Sequence, residues 1–164
     1  MLAEVVWAAG NERAAIFVDY LQKIPIWGGG LAEDERVTRV VERFKDLALE
    51  HGVPIVAIVA IDKSGLGAAR TRLQDLRGST ALAYESDVAL ILNDKHNIVA
   101  RHHLVFGTPE AARFHEYVVC SIEKNRAGRA GADIDLHKAF HRGCFEPTDG
   151  LVVEQLRDER VYVD

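Results

Sequence analysis

An α/β domain with a mostly parallel sheet flanked by helices, and with antiparallel strands added toward its C-terminal end, is the fold class that three observations predict. The runs at 14–19, 53–61 and 88–92 are short, apolar and rich in Val, Ile and Ala, almost without polar interruption. Strands buried on both faces of a parallel sheet read this way, whereas half-exposed strands alternate. The stretch at 32–51 places Val37, Val40, Val41, Phe44, Leu47 and Ala48 on one stripe of a helix, between the first two of those runs. Strand, helix, strand in that order predicts a parallel unit. The second half is strand-rich, with a tight basic loop at 124–131 between runs at 117–123 and 132–136, which suits antiparallel neighbours.

Bulk properties bound the functions available. At 164 residues, 48% hydrophobic and 27% charged, the chain has the size and composition of a globular domain with a proper core. A net charge of −5 rules out a global positive field, so any nucleic-acid contact has to rest on a local basic surface. There is no apolar run of membrane-spanning length and no signal-peptide pattern. A cytoplasmic protein without a membrane partner is therefore expected, with Cys120 and Cys144 as reduced thiols.

Each element follows in order. Leu2, Val5, Val6 and Ala9 have helical spacing and stop at Gly10-Asn11, a C-cap pair. The strand at 14–19 comes next, then a loop through Gly28, Gly29 and Gly30. Glu33, Asp34 and Glu35 favour the N-terminus of the helix at 32–51, and Gly52 ends it. After the strand at 53–61, residues 63–77 form a polar loop or short helix carrying Lys63, Arg70, Arg72 and Arg77 against Asp75. A short helix at 79–85, Asp87 and the strand at 88–92 follow. Thr108-Pro109-Glu110 opens another short helix within a histidine-bearing stretch. Leu151-Val152-Val153 and Val161-Tyr162-Val163 suggest a terminal hairpin, so that residues 1–148 form the core and 149–164 a C-terminal extension.

Two groups of residues carry chemistry. The strand at 14–19 runs directly into Asp19, where the last side chain of a parallel strand emerges into a ligand crevice. A carboxylate there suits Mg²⁺, a hard cation that takes oxygen ligands; the plain alternative is a loop aspartate after a strand. Lys124 and Arg126 stand two apart on a strand-to-turn segment, so both can face one way; the alternative is a solvated basic turn. A histidine metal site lacks support, since His102 and His103 are adjacent and would point to opposite faces of a strand. Cys-x-x-Cys, His-Glu-x-x-His and Gly-x-Ser-x-Gly spacings do not occur. A small α/β enzyme using Asp19 and Asp87 with a metal is a further reading, which fold alone does not exclude.

Four ordered segments resemble the C-terminal domain of DnaB-type replicative helicases, a RecA-like ATPase, over roughly residues 2–146. Asp19-Tyr20-Leu21-Gln22 after its apolar strand is similar to the family's Walker B segment. Phe44-Lys45-Asp46-Leu47-Ala48 followed by Val53-Pro54 is similar to its Leu-Lys-x-Leu-Ala helix and Val-Pro strand. Asp75-Leu76-Arg77-Gly78-Ser79-Thr80-Ala81 resembles its Asp-Leu-Arg-Glu-Ser-Gly-Ala segment. Lys124-Asn125-Arg126-Ala127-Gly128 resembles its Lys-x-Arg-x-Gly turn. The resemblance implies ATP and Mg²⁺ as cofactors, with Asp19 holding the metal through water. It implies that Lys124 and Arg126 reach the triphosphate of a neighbouring subunit in a ring, where two fixed cations stabilise developing charge. It also implies that Arg77 contacts the backbone of single-stranded DNA, with Arg70 and Arg72 adding to a basic track.

The chain departs from the family's pattern in definite places. No Gly-Lys dipeptide occurs, so Gly-x-x-x-x-Gly-Lys-[Ser/Thr], the loop that cradles phosphates, is absent from these 164 residues. Val59 and Ala60 stand where the family has a Ser-Gln pair, Gly78 and Thr80 where it has Glu and Gly, and Asp62-Lys63 where it has Asn-Arg. The expectation is an N-terminally incomplete RecA-like sheet, the C-terminal part of an ATP-driven DNA helicase domain that is not competent for hydrolysis by itself. Its open edge would be completed by upstream sequence, by a separate P-loop-bearing chain or by self-association. The alternative is a non-catalytic, helicase-like DNA-binding or ring-partner subunit.

Overall fold

The computed structural model describes residues 14–26, 30–61, 68, 70–76, 79–104 and 109–157. The expected helix at 2–9, Arg77 and the second strand of the terminal hairpin lie outside them. The chain divides into two compact units, one formed by residues 1–62 and 74–86, the other by 63–73 and 87–164.

In the first unit β1 (Ile16–Val18) pairs in parallel with β2 (Ile55–Ala57), Ile16 opposite Ile55 and Val18 opposite Ala57. Among the described residues this pair is the parallel part of the fold. The connection is α1 (Glu33–His51), which begins on three acids and stops where Gly52 takes up φ 63°. That left-handed turn costs glycine little, and it lets the Val53 N–H reach back to the Ala48 carbonyl. Val37, Val40, Val41 and Phe44 form the buried stripe of α1, packed with Ile16, Val18, Leu21 and Val53. A short helix, α2 (Ser79–Glu85), adds Ala81 and Leu82 to the same core.

The two strands are not buried on both faces as their composition predicts. Ile16 and Val18 face α1, while Phe17, Val56 and Ile58 on the opposite face are 76%, 51% and 57% exposed. The cause is architectural: α1 and α2 cover one side of the ladder, and no described element of this unit covers the other.

The second unit is an antiparallel meander in the order β3 (Val88–Asp94), β4 (Tyr117–Asn125), β5 (Ala132–Ala139), β6 (Cys144–Leu151). β6 differs from the sequence expectation. The apolar pattern predicts a terminal hairpin opening at Leu151, whereas Leu151 closes a strand that starts at Cys144 and runs past residue 148. Beyond it, residues 152–157 return along the segment at 98–100. The Gln155 carbonyl accepts from Ala100 N–H at 2.8 Å, and the Ile98 carbonyl from Arg157 N–H at 2.7 Å. Two short helices, α3 (Lys95–Ile98) and α4 (Pro109–Arg113), lie between β3 and β4. One face of the sheet buries Ile91, Asn93, Val119 and Ser121, while Val88, Leu90 and Leu92 on the other face of β3 are half-exposed.

Candidate functional site

Asp19 follows β1 directly and is exposed. Its position is held from behind. The Ile58 N–H donates to the Val18 carbonyl at 2.9 Å, and the Leu21 N–H donates to the Ile58 carbonyl at 2.8 Å. The turn Leu21–Lys23 then buries Gln22, whose side-chain amide accepts from Ala60 N–H at 3.1 Å and donates to the Ala60 carbonyl. Gln22 thus clasps the backbone at the end of the second strand run, a role that spacing alone does not reveal. The clasped residue is Ala60, one of the two positions where the resemblance leads to the expectation of a polar side chain. An exposed carboxylate on a rigid strand end suits a cation held through water. No Gly-Lys dipeptide occurs in the chain, so the sequence Gly-x-x-x-x-Gly-Lys-[Ser/Thr] is absent from it.

Lys124 and Arg126 belong to the second unit. Lys124 lies within β4 opposite Ala89, and Arg126 begins the turn one residue past the strand. The Arg126 N–H donates to the Asp87 carbonyl at 2.8 Å, and its guanidinium Nη1 donates to Asp87 Oδ1 at 3.0 Å. The turn is organised by Asn125, whose side chain accepts from Ala127 N–H at 3.3 Å and donates to the Arg129 carbonyl at 3.4 Å. A Cβ on Gly128 would stand 2.9 Å from Asn125 Nδ2, so glycine there leaves room for the amide that shapes the loop. Gly131 closes it at φ 76° with a 2.7 Å bond from its N–H to the Ile122 carbonyl.

The three arginines assigned to a DNA track separate. Arg77 lies outside the described residues. Arg70 is only 4% exposed, and its Nη2 donates to Ser121 Oγ at 2.9 Å and to Asp133 Oδ1, while Ser121 Oγ donates to the same carboxylate oxygen at 2.6 Å. A phosphate contact by Arg70 would require it to leave these partners. Arg72 is part-exposed and donates to Glu123 Oε1 at 2.8 Å. Thr71 and Asn93 exchange two hydrogen bonds of 2.8 and 3.0 Å, backbone to side-chain amide. Residues 70–73 are therefore fastened along β3, β4 and β5 by side chains, where the sequence shows only a solvated basic stretch.

The histidines also differ from expectation. His102 and His103 lie in a 3₁₀ turn, not a strand, with ring centroids 4.0 Å apart. His103 Nε2 accepts from Gln155 N–H at 3.2 Å, and His96 stacks on His115 at 3.7 Å. Among the described residues no three His, Cys, Asp or Glu side chains come together as metal ligands. The main buried ionic cluster is elsewhere. Lys95 is buried and donates to Asp135 Oδ2 and to Glu154 Oε2 at 2.7 Å, under the rings of Phe114 and Tyr117. Burial alone would raise the Glu154 carboxyl. The hydrogen bond from Lys95, a backbone N–H and the charges of Lys95 and Arg113 outweigh it and hold Glu154 below the usual carboxylate range.

Comparison with known proteins agrees with this arrangement. Residues 6–144 match the family described as DnaB-like helicase C-terminal domain. The replicative DNA helicase DnaB of Treponema pallidum (strain Nichols) is 34% identical over 82 residues, which is 50% of this chain and 18% of that protein. A solved ATPase domain superposes with a TM-score of 0.71 at 20% identity, covering 90% of this chain and 49% of that one. A DnaB-like replicative helicase, solved in a study that includes its interactions with primase, superposes at 0.72 and 19% identity, covering 90% of this chain and 35% of that one. These two likenesses establish a fold of the RecA-like type seen in DnaB domains. The chain thus spans half or less of each of these relatives. With the family match extending from before Asp19 to beyond Arg126, the chain belongs to the DnaB-like helicase C-terminal domain family.

Proposed function

We propose that this chain provides the Walker B carboxylate and the neighbour-facing basic pair of an ATP-driven DNA-unwinding domain used in replication. In this reading it turns over ATP only when a phosphate-cradling loop is supplied from outside these 164 residues, either by further sequence of the same polypeptide or by another chain. The observation that carries the reading is the family match over residues 6–144, which takes in Asp19, exposed directly after β1, Lys124 near the end of β4, and Arg126, exposed on the turn that follows. Asp19 would hold Mg²⁺ through a water, and the metal would supply positive charge to offset that of the phosphates. Lys124 and Arg126 would place positive charge against a triphosphate held by the adjoining subunit of a ring. Arg77, together with Arg72, would touch the backbone of single-stranded DNA.

The test mixes the full chain with a P-loop-bearing DnaB-type helicase, ATP, Mg²⁺ and single-stranded DNA. Turnover above that of the helicase alone, lost in Arg126→Ala, is the expected result. Turnover unchanged by that substitution removes Arg126 from the site.

A second reading, a non-catalytic DNA-binding or ring-partner subunit, is favoured by one observation. Val59 and Ala60 cannot hydrogen-bond through their side chains where the family carries Ser and Gln. An in-frame Gly-Lys-[Ser/Thr] upstream of Met1 in the gene would overturn that reading.

A further inference from the structure

We infer that Asp87 is a positioning residue for Arg126, aiming its guanidinium at the neighbour's phosphate; the inference rests on the reading of Arg126 given above. Two bonds join the residues where the β3–β4 ladder ends. The Arg126 N–H donates to the Asp87 carbonyl at 2.8 Å, and Arg126 Nη1 donates to Asp87 Oδ1 at 3.0 Å. The backbone bond extends the strand pairing one step beyond Val88 opposite Asn125, so both Cα atoms are set by the sheet. The side-chain bond then favours one direction for a long, rotatable side chain standing on a turn.

The strength of the pair decides between aiming and restraining. Both side chains are more than half exposed, 54% for Arg126 and 58% for Asp87. Ion pairs at such exposure are weak, because water screens both charges and two long side chains lose freedom to hold one geometry. Such a pair is too weak to keep a guanidinium from a polyphosphate, and too weak to matter much for folding. It is enough to bias the rotamers of a long side chain whose planar head group suits a phosphate. Orientation of this kind lowers the reorganisation needed as charge develops, so it acts on the chemical step more than on binding.

The experiment compares Asp87→Asn, Asp87→Glu and Arg126→Ala in the full chain, with a P-loop-bearing DnaB-type helicase and single-stranded DNA, measuring kcat and KM for ATP over a salt series. Asp87→Asn lowers kcat about fivefold with KM within about twofold, and Asp87→Glu recovers most of the loss. The gap between wild type and Asp87→Asn narrows as salt screens the exposed pair. Thermal unfolding of Asp87→Asn matches wild type, which separates positioning from folding. Loss in Arg126→Ala with none in Asp87→Asn overturns the role of Asp87 and leaves that of Arg126 standing. Higher turnover in Asp87→Asn overturns it as well, because the pair then restrains. No turnover beyond the helicase alone, or none lost in Arg126→Ala, overturns both.

Discussion

Gln22 and Gly128 show how single residues hold the two candidate sites in shape. The buried Gln22 amide satisfies both the N–H and the carbonyl of Ala60, which would otherwise lose partners beside the turn after Asp19. Gln22→Leu roughly keeps the volume and removes both bonds, and leaving the half-buried backbone groups of Ala60 to water costs about 1 kcal/mol. Urea unfolding should show that loss; an unchanged midpoint would remove the clasp. Gly128→Ala forces the Asn125 amide from its bonds to Ala127 and Arg129, at about 1 kcal/mol, in the same assay. Cys120 offers a chemical check. Burial, then the nearby Asp133 carboxylate, pushes its thiol above the usual range, so less thiolate exists at neutral pH. Iodoacetamide should modify Cys120 more slowly than an unstructured cysteine peptide, and equal rates would contradict its surroundings.

At the scale of elements, α1 and the segment at 152–157 carry the clearest consequences. Phe44 is buried at the end of the α1 stripe, and Phe44→Ala should cost about 3–5 kcal/mol through lost packing and the cavity left behind. Lys95 ties Glu154, and with it residues 152–157, to β5 through Asp135. Glu154 is held below its unfolded value, so its contribution to stability is present above the ordinary carboxylate range. It is lost as pH falls through the lower folded value. Protection of the Gln155 and Arg157 amides, taken relative to intrinsic exchange at each pH, should therefore fall on acidification below that range, and Glu154→Gln should flatten the dependence. α1 is legible in the sequence because its period, its acidic first turn and Gly52 all agree. Asp19 is legible because an apolar run stops on a carboxylate. β6 is not, since Glu146, Pro147, Asp149 and Gly150 are poor strand formers that pairing with β5 holds in place. The fastening of residues 70–73 is hidden for another reason. Arg70, Arg72, Asp133 and Glu123 are far apart in sequence, and charge alone does not reveal which partner a cation takes.

At the scale of the whole molecule, each unit leaves one apolar face open among the described residues. Phe17, Val56 and Ile58 form the open row of the first, and Val88, Leu90 and Leu92 that of the second. Exposed apolar surface of this kind marks association sites. The chain alone should therefore sediment as a concentration-dependent oligomer, and Phe17→Ser with Ile58→Thr should lower its mean mass. A monomer at all concentrations would contradict that. Under the proposed function, Asp19, Lys124 and Arg126 serve a nucleotide whose phosphates are cradled by residues outside these 164. Titration of MgATP into the isolated chain, followed by calorimetry, addresses this most directly. The account predicts no saturable binding tighter than about 1 mM, equivalent to about 4 kcal/mol. Stoichiometric micromolar binding accompanied by hydrolysis in the isolated chain would contradict it.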